Sequence, residues 1–528
     1  MYNEEKGRVM KKKALILLFA LCGVFLALQG NVQNAEARIW LMDDKLQLTG
    51  YFKETMFIRT HIPRNEKMFH DSNVDMARTS FLIEGLYNLY EGEETNINLF
   101  GGFRYWYAKM PDLDEEFKEA IPHRMYSEYE HPRDDELFTE LYVDFVRGPL
   151  QLRLGKQIVV WGETNLKRTA DVINPIDLRH GSPGTEDWEN IKIGLYMLRG
   201  WYQTDLPGQL LFEFLFIPGD FEVTHVPIEG THYGPGADTV SFNPGKGYGI
   251  YHWVQNKARH DAPGWNLSNY EYGIRLRGYT WNIDWTVFYF NTISDVGVVD
   301  DIDRYNDFSL LYVSSAITSI ATGSRINPRV PDYKVFDYKR YEVIGGTMQT
   351  IVDRLHGCEL RLEWFYEIGN AYNKGEGSST SSIYETTERD AVGFGMTWAD
   401  RFTIPWFTHK FCDDKKMSLS FTVFYEKILN YDRDVIIMES GRGHRTGDSH
   451  ASTFAWSLSQ FFFHSKVMFM FTGSYIPHGK YFLCPILAYA PGDHWRIEAA
   501  LPIYGYGSDS NKGMHDKDSV LIRLRYEF

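Results

Sequence analysis

Charged side chains with suggestive spacing lie in one segment that follows an apolar run. Residues 155–166 read GKQIVVWGETNL, and residues 171–179 read DVINPIDLR. The charged members of this segment are Glu163, Arg168, Asp171, Asp177 and Arg179. A set of this kind can select solutes by charge and size where it narrows a pore. Its carboxylates lack the spacing of an EF-hand loop, so the sequence predicts no metal site.

The backbone chemistry of the same segment predicts an ordered loop. Pro175 restricts Asn174 to an extended conformation and favours a turn, whereas Gly162 permits the chain to turn directly after Trp161. The two aspartates can accept hydrogen bonds from loop amides, and the two arginines can pair with the glutamate of the segment or with carboxylates of a surrounding wall. We interpret residues 161–190 as a candidate constriction loop, with a rigid strand cap that has no gating role as the alternative.

Motifs that would indicate an enzyme or a redox protein are not found in the sequence. It has no HExxH, no GxSxG and no P-loop, and its 17 histidines are scattered. Its four cysteines form neither a CxxC pair nor a CxxCH haem attachment site, and Cys358 and Cys484 fit best as small residues of strands. We predict no catalytic residue, cofactor or metal, and the net charge of −15 argues against a nucleic-acid partner.

The last ten residues, SVLIRLRYEF, show the kind of element that must position the charges. From Val520 to Phe528 the even-numbered residues are apolar and share one strand face, whereas Arg523 and Arg525 lie on the other. One face suits lipid and the other suits water. A strand of this length that ends in an aromatic residue is typical of bacterial outer-membrane barrels, and Phe528 resembles their sorting signal. After residue 37, the sequence contains no run of 18 or more apolar residues that would predict a membrane-spanning helix.

The same alternation in upstream strands identifies the residues that would face the inside of a barrel. Lys or Arg on the lipid face would cost about 2–4 kcal/mol at mid-bilayer, which assigns the charged sets to the lumen. The predicted lumen charges are Arg104, Arg153, Arg275, Arg277, Asp284, Arg361, Glu363, Arg496, Glu498, Arg523 and Arg525. They could create a transverse field that favours anionic or zwitterionic solutes, or form cross-strand pairs that only satisfy a polar interior.

Tight turns and long polar connections alternate along the chain, which predicts short periplasmic turns and long outer loops. This alternation places strands near 46–60, 75–90, 95–107, 136–147, 150–160, 191–204, 209–217, 268–279, 281–291, 339–351, 357–367, 389–399, 417–428, 450–461, 466–475, 481–490, 494–503 and 518–528. The predicted fold is all-β, a transmembrane antiparallel β-barrel of about eighteen strands. Sixteen strands is the alternative, because 400–416 is long for a periplasmic turn and 476–480 is short for an outer loop.

The N-terminal residues 1–37 have the pattern of a secretory signal peptide. A basic run at Lys11–Lys13 precedes an apolar stretch, and small residues surround a cleavage site at Ala35–Ala37. The basic run follows Met10, which is a plausible true start. We therefore expect residues 38–528 to form a single barrel in the outer membrane of a Gram-negative cell, with outer-membrane lipid and the barrel-assembly machinery as partners.

The two quoted runs, GKQIVVWGE at 155–163 and DVINPIDLR at 171–179, resemble the signature of a proteobacterial outer-membrane barrel family. This family, known as domain of unknown function 1302, is grouped with porins and alginate-export barrels. The residues of the motif region are Gly155, Gln157, Trp161, Gly162, Glu163, Arg168, Asp171, Asn174, Pro175, Asp177 and Arg179. The resemblance implies the barrel fold and supplies no substrate.

These observations predict an outer-membrane pore or transport channel for small or hydrophobic solutes, with residues 161–190 as its candidate constriction. A first alternative is a barrel that serves as scaffold or sheath for a partner, such as a periplasmic lipoprotein or a multihaem cytochrome. A second alternative, from the enzyme class, is an outer-membrane hydrolase.

Overall fold

The computed structural model describes most of the chain. The described residues are 38–60, 73–111, 123–164, 169–182, 184–228, 231–233, 250–322, 330–375, 383–411, 415–432, 435–436, 449–477, 480–505 and 517–528. The predicted signal peptide and Arg168 lie outside these residues.

Eighteen wall strands are found in the described residues, and each pairs antiparallel with its neighbours in the chain. They are β1 Leu46–Arg59, β2 Val74–Glu91, β3 Thr95–Lys109, β4 Phe138–Arg147, β5 Leu150–Gln157, β6 Leu195–Gln203, β7 Leu211–Ile217, β8 Glu271–Thr280, β9 Ile283–Ile293, β10 Arg340–Val352, β11 Cys358–Gly375, β12 Ile383–Phe402, β13 Met417–Ile428, β14 His450–Phe462, β15 Val467–Ile476, β16 Lys480–Tyr489, β17 Trp495–Ala500 with Ile503–Gly505, and β18 Ser519–Glu527.

The first and last wall strands pair with each other and close the barrel. Their register runs from Tyr51 opposite Glu527 to Arg59 opposite Ser519. Phe528 continues this contact, because its amide donates to the carbonyl oxygen of Gly50 at 3.0 Å and its own carbonyl accepts from the Gly50 amide at 3.0 Å. The prediction of a closed barrel with eighteen strands is confirmed, and the alternative of sixteen is wrong.

The predicted alternation of faces is seen along the wall. In β8, Ile274 is 60% exposed on the outside, whereas the neighbouring Arg275 points inward and pairs with Glu213 of β7. In β18, Ile522 and Leu524 are likewise exposed on the outside. The barrel therefore presents apolar side chains outward and charged side chains inward, which is the arrangement that a bilayer requires.

Some turns and strand ends differ from the sequence-based prediction. Trp281 was placed in a strand, but Trp281 and Asn282 both have positive φ and form the two-residue turn between β8 and β9. A turn with positive φ at both central residues matches the right-handed twist of a hairpin. The long turn near 400–416 is accounted for by a short helix, Pro405–Phe411, and the strands β11 and β12 extend outward, so their connection is only 376–382.

Helices lie in the long connections between the strands. They are α1 His123–Glu130, α2 Trp188–Ile191, α3 Ile250–Asp261, α4 Ile302–Thr322 and α5 Pro405–Phe411. Three-residue 3₁₀ turns occur at Asp134–Glu136, Leu267–Asn269 and Asp353–Leu355. Among the described residues, no helix combines the length and apolar character needed to cross a membrane.

Strand β5 was predicted to continue to residue 160, but it ends at Gln157. Gly155, close to the end of this strand, has a φ of 138°. A Cβ atom at this position would lie 2.2 Å from the carbonyl oxygen of Leu141. After Gln157, side chains rather than a neighbouring strand bond the backbone, since the Ile158 amide donates to Glu140 Oε1 at 2.9 Å. The chain therefore leaves the wall three residues earlier than predicted.

We expect Gly155→Ala to destabilise the barrel, because only glycine adopts this φ without strain and the strain alone costs about 1–3 kcal/mol. The added Cβ also collides with the backbone of β4. The measurement is the urea midpoint of unfolding in detergent, followed by tryptophan fluorescence. Gly101→Ala is the matched control, since a Cβ at Gly101 would meet a side-chain carbon of Leu141 at an ordinary 3.5 Å. Equal midpoints for both variants would contradict the expectation.

Candidate functional site

The segment between β5 and β6, residues 158–194, turns from the wall into the lumen over its described residues, which are 158–164, 169–182 and 184–194. Asn174 joins both ends of this segment, because its Oδ1 accepts from the Val159 amide at 2.7 Å. Its Nδ2 donates to the carbonyl oxygens of Gln157 at 3.1 Å and Ile193 at 2.8 Å. Pro175 follows directly and holds Asn174 in an extended backbone. The Asn-Pro pair of the motif therefore closes the base of the inward segment.

Trp161 lies at the base of the segment and not at the outer membrane interface. Its side chain is fully buried, and its ring packs 5.0 Å from the ring centroid of Phe288. Its indole Nε1 donates to Glu213 Oε1 at 3.2 Å. Arg275 stacks over the indole ring at 5.4 Å. The tryptophan of the motif therefore attaches the segment to the inner faces of β7, β8 and β9.

A wall carboxylate receives the backbone of the segment on β11. Glu363 is fully buried, and it accepts hydrogen bonds from the amides of Glu163, Thr164 and Ala170. The bond from Ala170 measures 2.9 Å. Arg361, two residues before Glu363 on β11, donates from Nη1 to the carbonyl oxygen of Glu163 at 3.0 Å. Burial raises the pKa of the Glu163 carboxyl.

Arg179 pairs within the segment and with a neighbouring connection. Its carboxylate partners are Asp177 and Glu136, and not Glu163 or a wall carboxylate, which were the alternatives that the sequence left open. Its Nε donates to Asp177 Oδ1 at 2.9 Å, and its Nη2 donates to Glu136 Oε1 at 3.0 Å. Burial alone would raise the pKa of Asp177, but the Arg179 guanidinium together with His225 and His180 holds this pKa well below its ordinary value. The local geometry explains the pairing, because the Asp177 carboxylate also accepts the Arg179 amide at 3.0 Å.

Asp171 of the motif pairs with Lys192, which lies close to the start of β6. Lys192 Nζ lies 2.5 Å from Asp171 Oδ2, and both side chains are buried. The pair joins the middle of the inward segment to its end, and Lys192 Nζ also donates to the carbonyl oxygen of Val159 at 3.4 Å near the start of the segment. The connection that follows β7 lies against the segment, because the Leu178 amide donates to the carbonyl oxygen of His225 at 2.8 Å.

The sequence-based interpretation missed a carboxylate, Glu186, which contacts the opposite part of the wall. Lys53 Nζ of β1 lies 2.7 Å from Glu186 Oε1, and Arg78 Nη2 of β2 lies 2.5 Å from its Oε2. Burial alone would raise the pKa of Glu186, but Lys53 and Arg78 hold it well below its ordinary value. The only sequence signal was the acidic run Glu186-Asp187, which follows the family motif.

Backbone oxygens beside Glu186 meet two of the predicted lumen arginines. Arg523 of β18 donates from Nη2 to the carbonyl oxygen of Thr185 at 2.7 Å. Arg104 of β3 donates from Nη1 to the carbonyl oxygen of Asn190 at 2.7 Å. The segment thus contacts β2 through Glu186 and β11 through Ala170. These two strands are nine positions apart in a barrel of eighteen, so the segment reaches opposite sides of the lumen.

The other predicted lumen charges have acidic neighbours on the inner wall. The pairs are Arg153 with Asp144 at 2.7 Å, Arg275 with Glu213 at 2.6 Å, Arg277 with Asp284 at 3.0 Å, Arg361 with Glu359 at 2.9 Å, Arg496 with Glu498 at 3.4 Å, Arg523 with Glu498 at 2.8 Å, and Arg525 with Glu527 at 2.8 Å. Several of these pairs join neighbouring strands, as Arg153 of β5 and Asp144 of β4 do. The acids Asp144, Glu213 and Glu359 were not among the predicted residues.

The remaining part of the inner wall is chemically different. On β13–β15 several inward positions are small and uncharged, as at Ser420, Thr422, Ala455, Ser457 and Thr472, although Phe424, Glu426 and Met470 share the same face. Thr422 shares a hydroxyl hydrogen bond of 2.8 Å with Thr397 of β12. Within the ranges that the structure describes, no group of three or more His, Cys, Asp or Glu side chains is arranged to hold a metal ion. Cys358 and Cys484 are free and buried in strands.

A closed antiparallel barrel of eighteen strands with an apolar outside and a charged inside has the architecture of an outer-membrane β-barrel. The chain belongs to the family described as protein of unknown function DUF1302, whose model matches residues 71–464. The resemblance of the motif to this family is thereby confirmed. A comparison with curated proteins finds no match.

Solved structures of outer-membrane porins resemble the whole barrel at low identity. Salmonella typhi OmpF in complex with daunomycin is 10% identical, with 93% of this chain and 100% of that chain covered and a TM-score of 0.39. Pseudomonas aeruginosa OpdK with vanillate is 9% identical, with 93% and 100% covered and a TM-score of 0.42. Acinetobacter baumannii OccAB3 is 7% identical, with 92% and 99% covered and a TM-score of 0.44. These likenesses concern barrel architecture alone.

Proposed function

We propose that this barrel is a channel for small solutes across the outer membrane and that residues 161–190 form its constriction. The observation that carries the proposal is that one inward segment contacts opposite walls. Its Glu186 pairs with a residue of β2, and its Ala170 amide donates to a residue of β11. A strand cap without a gating role would need contacts only beside β5 and β6. A segment that crosses the lumen instead narrows whatever passes through it.

Two features of the wall support a solute path beside the segment. The segment is held by charged side chains of β1–β3, β11 and β18, such as Arg78 and Glu363. Several inward side chains of β13–β15 bear a hydroxyl group, as at Ser457 and Thr472. A path lined by hydroxyl groups on one side and by paired charges on the other suits small polar solutes.

Reconstitution in planar bilayers tests the proposal. We expect the purified chain to conduct alone, and deletion of 163–179 to give a larger single-channel conductance because the part of the segment that contacts Glu363 of β11 is then lost. Equal conductance with and without 163–179 would remove the constriction role. A barrel that conducts only after removal of a copurified coloured partner would favour the sheath alternative, and release of fatty acid or peptide in a turnover assay would favour the hydrolase.

A further inference from the structure

Cationic and hydroxyl donors of four wall strands converge on one small group of loop oxygens. Glu186 lies between Lys53 and Arg78, and its side chain is only 3% exposed. The other contacts, all from the wall to the same stretch of loop, are Arg523 to the Thr185 carbonyl at 2.7 Å, Arg104 to the Asn190 carbonyl at 2.7 Å, and Tyr51 to Asn190 Oδ1 at 3.1 Å. The wall thus provides a site for oxygen atoms of negative or partly negative charge.

Wall cations outnumber the carboxylates in contact with them at this place. Four cations meet there: Lys53, Arg78, Arg104 and Arg523. Among the described residues, the carboxylates in direct contact with the four are Glu186 and Glu498, the latter 2.8 Å from Arg523. Buried charges are stable only when they are paired, so the cluster favours an additional or a replacement anion.

A small cavity lies beside the cluster, so a solute carboxylate reaches the four cations only where the Glu186 carboxylate withdraws. The cavity has a volume of about 20 Å³, which is room for a water molecule, and Lys53, Arg78, Arg104 and Glu186 all line it. The aromatic side chain of Trp106 lines the same cavity, together with Tyr51. Charged groups beside aromatic rings suit an organic anion whose carboxylate is attached to a flat or apolar body.

We infer that Lys53, Arg78, Arg104 and Arg523 form a binding subsite for the carboxylate of a permeating small organic anion, and that Glu186 occupies this subsite when no solute is bound. The inference rests on the proposed channel function and names its substrate class. A solute carboxylate replaces the Glu186 carboxylate like for like, because both offer two oxygens to Lys53 and Arg78. The solute therefore competes with the constriction for the wall and loosens it during passage.

Benzoate is the probe, and its neutral analogue benzamide is the matched control. Single-channel current is recorded in planar bilayers as each compound is titrated. Glu186→Gln is expected to lower the benzoate concentration for half-maximal effect about tenfold, if the loop carboxylate occupies the site about nine-tenths of the time. Adding Lys53→Met and Arg78→Gln to this variant is expected to abolish the effect. Benzamide is expected to have no effect on any variant.

Asp144→Asn separates competition from a general change of lumen charge. It also removes one negative charge from the inner wall, but Asp144 pairs with Arg153 at 2.7 Å, away from the cluster. We expect its benzoate titration to match that of the unmodified chain. Heat-modifiable migration in electrophoresis verifies that each variant forms a closed barrel before it is measured.

The outcomes for the subsite and for the channel can be distinguished. An unchanged benzoate titration in Glu186→Gln overturns the inference, and so does an equal response to benzamide. If the barrel conducts no current, the channel proposal fails. Equilibrium binding of benzoate to the detergent-solubilised barrel then still decides the subsite, because Glu186→Gln must bind more tightly than the unmodified chain and the triple variant must not bind.

Discussion

Replacing Glu363 with alanine is expected to release the cross-lumen segment and to raise the single-channel conductance. The Glu363 carboxylate is buried and accepts hydrogen bonds from the amides of Glu163, Thr164 and Ala170. Each buried amide left without an acceptor costs about 1–3 kcal/mol. The loss should therefore undock residues 163–170 from β11 while the barrel wall, held by its own strand pairing, stays closed. Conductance in planar bilayers measures the effect.

Glu359→Ala is the matched control for this experiment. Glu359 lies on the same strand and the same inward face, and the substitution removes the same charge. Its carboxylate pairs with Arg361 at 2.9 Å and accepts from Gln349, both of which are wall residues. We expect its conductance to stay close to that of the unmodified chain. If Glu359→Ala raised conductance as much as Glu363→Ala did, lumen charge and not the docking of the segment would be the cause.

Trp161→Ala is expected to weaken the base of the same segment. The indole is fully buried against Phe288, and it donates a hydrogen bond to Glu213 at 3.2 Å. Replacing a buried tryptophan with alanine costs about 3–5 kcal/mol. The cost should fall on the docking of the segment, because Trp161 lies after the end of β5 and forms no strand pairing. The measurement is protease cleavage within 161–190 in the folded barrel, which should become faster.

Trp265→Ala controls for the loss of a tryptophan as such. Trp265 lies in another connection, is 58% exposed, and has an edge contact with Tyr196 at 6.3 Å between ring centroids. We expect its effect on cleavage within 161–190 to be small, since surface substitutions usually change stability by less than about 0.5 kcal/mol. Equal protection of the segment in Trp161→Ala and in the unmodified chain would show that the indole does not hold it in place.

Much of the wall could be predicted because a strand repeats its environment every two residues. Ile274 and Arg275 are adjacent in sequence, and the high cost of a charge in lipid decides which of them faces the lumen. The same reasoning placed Arg523 and Arg525 on the lumen-facing side of β18. Strand ends were less predictable. β5 stops at Gln157 although apolar residues continue, because Glu140 and Asn174 provide partners for the next amides.

The contacts of the candidate site could not be read from local pattern. The motif identified Asn174 and Trp161 as special, but their partners lie elsewhere in the chain. Glu363 was predicted as a lumen charge. Nothing in the local sequence indicated that its hydrogen-bond donors would be loop amides at least 193 residues away in the chain. Glu186 was missed altogether, because nothing in its own neighbourhood shows that Lys53 and Arg78 will meet it.

The sequence by itself determined that this chain forms a closed barrel, which residues face lipid, and to which family it belongs. These properties depend on a period of two and on a contiguous motif, and both are local. Only the tertiary structure decided that residues 158–194 cross the lumen and that Glu186 meets Lys53 and Arg78. The physical reason is that buried polar groups must find partners, and closure of the barrel brings together partners that are more than a hundred residues apart in the chain.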